Sequence, residues 1–201
     1  MRITDETALR DLYDVPLERS VAKELTTLDD HCRAFIAASP FVILTTSGPQ
    51  GLDVTPRGDA PGFIEVEDGT HLLLPDRPGN NRLDALTNIL GAPRVGLLFL
   101  IPGVRETLRI RGRAEIRVDP EVLKLCEAQG HPPISVLRIA IDCAFIHCAK
   151  SVLRSGLWSP ETWSQDRPVA TMSEMMRDHA AQDGPLEPED DMIARYKSVL
   201  Y

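Results

Sequence analysis

Lysine is missing from the whole middle of this 201-residue chain. Between Arg57 and Arg117 there are nine arginines and eight acidic residues, a local balance of +1 against −9 for the remainder and −8 in total. The acidic total excludes a general nucleic-acid or anionic-membrane binder, whose contact surface is basic. Cysteine is scarce and unpatterned. Cys32, Cys126, Cys143 and Cys148 form no CxxC pair and no zinc-ribbon spacing, so neither a disulfide framework nor a structural metal site is expected, and most should be buried thiols. His147 adjoins Cys148 but has no third or fourth ligand at usable spacing, so no metal is assigned. No stretch reaches the roughly 18 apolar residues of a membrane span, and MRITDETALRDLYD carries no apolar signal-peptide core. A cytoplasmic protein without membrane contact is expected. There is no internal repeat or low-complexity tract.

What is present is a globular composition, 43% hydrophobic, enough for one domain with a sizeable core. Leu28, Cys32, Phe35 and Ile36 share a helical face before Ser39. FVILTTS (41–47), the turn GPQG (48–51) and LDVTP (52–56) read as a hairpin. Short strands follow at GFIEV (62–66) and THLLL (70–74). A helix beginning near Arg82 places Leu83, Leu86 and Leu90 on one side, and GAP (91–93) ends it. VGLLFLI (95–101) is a buried strand. From Thr107 to Val118 one face carries Leu108, Ile110, Gly112, Ala114, Ile116 and Val118, and the other carries Arg109, Arg111, Arg113, Glu115 and Arg117. A helix follows Pro120. The strand 134–148 places Leu137, Ile139, Ile141, Cys143 and Phe145 on one face. Six or seven strands with inserted helices fit a small antiparallel barrel, mainly β with flanking helices, better than a doubly wound sheet. The expected organisation is one domain: a helical segment 1–40 packed on the barrel, the barrel at 41–158, and a helical extension 159–201 with helices near 172–182 and 189–199.

The segment LLLPDRPGNNRLDALTNIL (72–90) runs from an apolar strand through a shaped loop into a helix. Asn80 or Asn81 is placed to cap that helix, and Gly79 permits backbone conformations closed to other residues. Exposed N–H groups, the helix dipole and Arg82 together suit a phosphate. The same residues also suit a well-capped helix whose arginines pair with Asp76 and Asp84. Further on, Lys150 and Arg154 at i,i+4 share a helical face with Ser151, as an anion contact or as a solvated helix end. Trp158 offers a flat apolar surface with one donor, beside a ligand or in packing. No residue has the orienting partner of a general base or nucleophile, so no catalytic residue is assigned.

Four stretches, TPRGDAPGF (55–63), LPDRPGNNR (74–82), LFLIPGVRETLRIRGRA (98–114) and FIHCAKSVLRSGLW (145–158), together resemble the flavin-binding relatives of pyridoxamine 5′-phosphate oxidase. More narrowly they resemble a bacterial subfamily with the same PRGD, PDRPGNNR and HCAK signatures. The resemblance implies an FMN-binding split β-barrel homodimer, with the flavin at the subunit interface. By motif, it implies that Thr55, Arg57, Asp76, Arg77, Asn81 and Arg82 surround the flavin phosphate, with Asn80 joining as a cap. It further implies Thr107 near the isoalloxazine ring, Trp158 at the flavin edge, and Lys150, Ser151 and Arg154 as contacts to the neighbouring subunit's flavin. The expected activity is that of an FMN-dependent oxidoreductase acting on a small molecule. A non-catalytic flavin- or haem-related binding protein on the same barrel is the second reading, and a structural or interaction protein the third. The chain ends DDMIARYKSVLY, without the oxidase's arginine-rich ending or its substrate-phosphate pattern, so the vitamin B6 reaction is not implied.

Overall fold

The computed structural model describes residues 2–181 and 184–201. In chain order the helices and strands are α1 (Glu6–Arg10), α2 (Glu18–Ala22), α3 (Asp30–Ala38), β1 (Phe41–Gly48), β2 (Gly51–Gly58), β3 (Glu65–Val66), β4 (His71–Asp76), α4 (Asp84–Gly91), β5 (Arg94–Leu100) and β6 (Thr107–Arg117). Then come α5 (Pro120–Leu125), β7 (Ser135–His147), α6 (Lys150–Ser155), a 3-10 turn (Pro160–Thr162), α7 (Met172–Ala180) and α8 (Glu189–Lys197). Gln182, the last residue of the expected 172–182 stretch, lies outside the described residues. Among those residues, no helix is long and apolar enough to cross a membrane.

The seven strands form one antiparallel sheet in the order β2-β1-β5-β6-β7-β4-β3. The expected β-rich fold with flanking helices is the observed one. The β1–β2 hairpin closes with Gly48 opposite Gly51. Gly51 takes φ 110°, a conformation that glycine adopts without the strain a Cβ would bring. The sheet curls until β2 and β4 face each other with no ladder between them, and Arg57 on β2 meets Asp76 on β4 at 3.4 Å across the gap. This makes it a split barrel.

Its interior holds Val42, Leu44, Leu72, Leu74, Leu97, Phe99, Leu108, Ile110, Leu137 and Ile139, with Cys32 and Ile36 of α3 closing one end. The alternation of β6 places Leu108, Ile110, Gly112 and Ala114 inward. Val118 falls beyond the end of β6 and is exposed, so the expected apolar face stops at Ile116. The single expected face of β7 also breaks. Arg111 pairs with Cys143 but Gly112 pairs with Ile141, which leaves Asp142 as the extra residue of a bulge. One extra residue in a structure of period two exchanges the faces. Leu137, Ile139 and Ile141 therefore point inward before the bulge and Ala144 after it, while Cys143 and Phe145 pair with the outward Arg111 and Arg109.

At the chain ends, α1, α2, α7 and α8 bury no residue. The free cysteines Cys32, Cys126 and Cys143 are buried and Cys148 is exposed. Burial pushes the Cys32 and Cys126 thiols up to about 11, which makes them unreactive packing groups.

Candidate functional site

The open seam of the barrel is a cleft of about 910 Å³, within the size range of small-molecule sites. It is built from the end of β2 with residues 59, 60 and 63, the end of β4 with the loop to α4 and that helix's first residues, Ile134 and Ser135 at the start of β7, and Leu200 and Tyr201. Pro56 and Pro75 lie directly in these walls. α4 is set above the cleft by apolar burial of Ala85 and Ile89 and by Asn88, whose Nδ2 donates to Thr46 Oγ1 at 3.1 Å. That contact lies where a side chain on Gly48 would stand, since a Cβ there would come within 1.8 Å of Asn88 Oδ1.

The cleft gathers Thr55, Arg57, Asp76, Arg77, Asn80, Asn81 and Arg82. Their pairing is close. Arg57 donates from Nη1 to Thr55 Oγ1 at 2.9 Å and from Nη2 to Asp76 Oδ1 at 3.4 Å. Arg77 donates from Nε to Asp59 Oδ2 at 2.6 Å and from Nη2 to the Cys126 carbonyl at 3.2 Å. Arg82 donates from Nε to Asp84 Oδ2 at 2.7 Å. With Asp53, the lining holds three arginines and four aspartates, so the cleft is not a basic basin. Its cations are ordered donors, each held by a carboxylate. Burial on its own would raise the Asp59 carboxyl. Bonds from the Tyr201 hydroxyl, the Ala60 N–H and Arg77 outweigh that cost and hold it below the ordinary carboxylate range.

The loop before α4 differs from the expected one. The helix begins at Asp84, and its N-cap is Leu83 in the left-handed region at φ 60°, with no side-chain cap bond. Asn80 Oδ1 instead accepts from the Arg82 N–H at 3.1 Å, a local Asx-type turn that competes with capping. Asn81 is also left-handed, at φ 57°, whereas a Cβ on Gly79 would meet only the Arg77 carbonyl at 4.0 Å. The strained positions are thus Asn81 and Leu83, not Gly79. Arg82 precedes the helix rather than standing in its first turn. Leu83 and Leu90 are consequently exposed, and the buried stripe is Ala85 and Ile89. The first-turn N–H groups of α4, left without a side-chain cap, open beside Arg82.

Thr107, Lys150, Ser151, Arg154 and Trp158 are not in the cleft. Thr107 pairs with His147 at the far end of β7 from Ser135. β7 has 13 residues, about 40 Å of extended strand. The two sets thus stand at opposite ends of β7. Thr107 is buried and Trp158 half-buried, while Lys150, Ser151 and Arg154 on α6 are exposed. Near them Lys23 Nζ and Arg109 Cζ lie 5.3 and 5.5 Å from the Phe145 ring centroid. His147 is held below its ordinary value of 6.5 by desolvation and then by these two cations.

Sequence reading missed three participants. Asp59 and Ser135 carry only the weak signal of position within a motif or beside a turn. Tyr201, far along the chain, carries none. Elsewhere, Glu67, Asp68 and His71 bring their side-chain atoms within 4.8 Å of one another, and Asp68 already accepts from the Thr70 N–H at 2.6 Å. A groove of about 380 Å³ between α7 and α8 is lined by Met172, Met176 and Met192.

The family model described as pyridoxamine 5′-phosphate oxidase matches residues 28–148. No curated protein matches the chain. Among solved structures, a candidate pyridoxamine 5′-phosphate oxidase from Lactobacillus delbrueckii is 23% identical, with a TM-score of 0.49, over 61% of this chain and 98% of the other. HupZ of Group A Streptococcus is 14% identical, with a TM-score of 0.49, over 59% and 93%. An FAD-binding protein from Mesorhizobium loti is 19% identical, with a TM-score of 0.41, over 61% and 97%.

Proposed function

Because the chain belongs to the pyridoxamine 5′-phosphate oxidase family, we propose that the seam cleft is the phosphate end of a flavin site and that the protein is an FMN-binding homodimer acting as an oxidoreductase on a small molecule. The observation that carries the reading is the convergence on one cleft of Arg57, Arg82 and the uncapped first turn of α4.

The donor set fits a phosphate monoester. Arg57 and Arg82 each have guanidinium N–H groups beyond those engaged with carboxylates, and backbone donors at a helix start favour an anion. Thr55 and Asn81 would add neutral polar contacts, and Asp76 would hold Arg57 in place. The flavin, when bound, supplies reversible electron transfer, and the protein supplies binding and orientation.

The split of the candidate residues supports the homodimer. In a two-fold dimer the cleft of one protomer can face the far end of β7 of its partner, so that Thr107, Lys150, Ser151, Arg154 and Trp158 complete a flavin site begun by the other subunit. Each dimer would then hold two sites. Consistent with a covered surface, the edge strand β2 leaves Leu52 and Val54 exposed, and hydrophobic sheet edges are ordinarily protected.

The test is the absorption spectrum of the purified protein, followed by titration with FMN and riboflavin and by sedimentation. A yellow dimer that prefers FMN over riboflavin is the expected result. Equal affinity for the two ligands refutes the phosphate assignment, and a monomer that binds FMN tightly refutes the shared site.

A further inference from the structure

One wall of the cleft is made by residues from the far C-terminal region. Leu200 and Tyr201 line it, the Tyr201 hydroxyl donates to Asp59 Oδ1, and the Arg77 guanidinium lies 5.4 Å from the Tyr201 ring centroid. The hydroxyl and the ring thus engage both members of one ion pair, since Arg77 Nε and Asp59 Oδ2 are 2.6 Å apart. Arg77 has its Nε and Nη2 committed to Asp59 and to the Cys126 carbonyl, and one face of its guanidinium is taken by the aromatic ring. It is the cleft arginine least available to a ligand.

The attachment is slight. α7 and α8 bury no residue, and their long-range ion pairs, Arg167–Glu189 and Arg195–Glu187, join the tail to itself. Among the described residues, the Tyr201 hydroxyl makes the polar link from residues 164–201 to the rest of the chain, donating to Asp59 and reaching Gln129 as well. A segment whose polar attachment runs through one exposed side chain is one that a charged ligand can displace.

We infer that Tyr201 is a built-in competitor for the cleft: its ring covers one face of Arg77 and its hydroxyl holds Asp59, so a phosphate-bearing ligand reaches this side of the cleft only by driving the tyrosine off. The inference rests on the phosphate-site reading above. It gives the site a regulated affinity, because any partner or modification that draws the 198–201 segment away tightens ligand binding. Tyr201 itself contacts no ligand in this scheme.

The experiment has two readouts on the full chain. The first needs no flavin. Protein labelled with 3-fluorotyrosine gives three resonances, for Tyr13, Tyr196 and Tyr201, and Tyr201→Phe identifies the third. Asp59→Asn should move the Tyr201 resonance and leave the other two in place. A resonance indifferent to Asp59→Asn overturns the inference whether or not flavin binds. The second is FMN affinity by fluorescence titration. Tyr201→Ala should bind about tenfold tighter than the parent, since a charge-assisted bond and an aromatic contact no longer compete. Tyr201→Phe, which keeps the ring, should gain less. Affinity unchanged or weakened in Tyr201→Ala overturns the competition. If no variant binds FMN, the flavin reading fails by itself, and pyrophosphate titrated against the Tyr201 resonance decides the inference: displacement upholds it and an unmoved resonance overturns it.

Discussion

Arg57 and Asp76 stand 3.4 Å apart although four strands, β1, β5, β6 and β7, separate theirs in the sheet order. The pair spans the seam and orders the guanidinium that faces the cleft. Both side chains are largely shielded, at 25% and 16% exposure, so the interaction is neither a screened surface pair nor a fully desolvated one. Arg57→Ala is expected to weaken FMN binding about ten- to a hundredfold, as loss of a charge-assisted contact does. Riboflavin binding should be unaffected. Urea unfolding should show a loss of about 1 kcal/mol, the upper range for a partly exposed pair.

Arg82 and Arg94 flank α4 on opposite sides and should differ. Arg82 precedes the uncapped helix start and lines the cleft. Arg94 opens β5 opposite Arg113, away from it. Arg82→Ala is expected to reduce FMN affinity about ten- to a hundredfold and Arg94→Ala to change it little. Because Arg82 is 73% exposed and paired with Asp84, neither substitution should alter the thermal melt of the apo protein appreciably. Equal losses in the two variants would show that the 74–82 loop serves the fold alone.

Gly112 sits at the register shift between β6 and β7. A Cβ there would stand 2.3 Å from the Ala140 carbonyl oxygen and 3.0 Å from Ile139 Cγ2. Backbone cannot yield as a flexible side chain does, so Gly112→Ala should destabilise the protein by about 2–3 kcal/mol, the scale of an overpacked core. Chemical denaturation measures this, and Gly91→Ala, where a Cβ meets nothing within 4 Å, is the control.

The strand alternation of β6 and the β1–β2 hairpin were legible because their period and turn residues agree with the tertiary environment. The bulge at Asp142 was not, since nothing in IAIDCAFIH distinguishes a residue left out of the ladder from one within it. The start of α4 at Asp84 is illegible for a related reason. Asn80 has the chemistry of a cap, but its oxygen reaches the Arg82 N–H, and the competition between turn and cap is decided by the loop's path. The grouping of Thr55 and Arg57 with Asp76 and Arg77 comes from the family resemblance, since β2 and β4 are not neighbours in the sheet and no local pattern announces their meeting across the seam. Tyr201 could not be read ahead, because only the folded tail carries it to Asp59.

His147 supplies a pH dependence with a defined sign. Its folded-state pKa lies below 6.5 because of desolvation and the nearby Lys23 and Arg109. The unfolded chain therefore binds more protons as pH falls below that value, and stability falls with it until the folded-state pKa is passed. Above 6.5 no penalty applies. Urea unfolding at about pH 7.5 and about pH 5.5, in the range where histidine titrates, should show a loss for the parent that is smaller in His147→Gln. An identical loss in both would assign the effect to other groups.

The division of the candidate residues between the cleft and the far end of β7 leads to a complementation test. Arg57→Ala damages the cleft set, and Trp158→Ala damages the far set. Each homodimer alone should bind FMN weakly, since every site contains one damaged half. After unfolding and refolding together, the heterodimer has one site built from the intact cleft of the tryptophan variant and the intact far set of the arginine variant. Random pairing by two-fold symmetry then restores about a quarter of all sites to parental affinity. Stoichiometric fluorescence titration of the mixture reads that fraction directly. If a site lay wholly within one chain, no pairing could repair it, and the mixture would bind as the average of its two weak components.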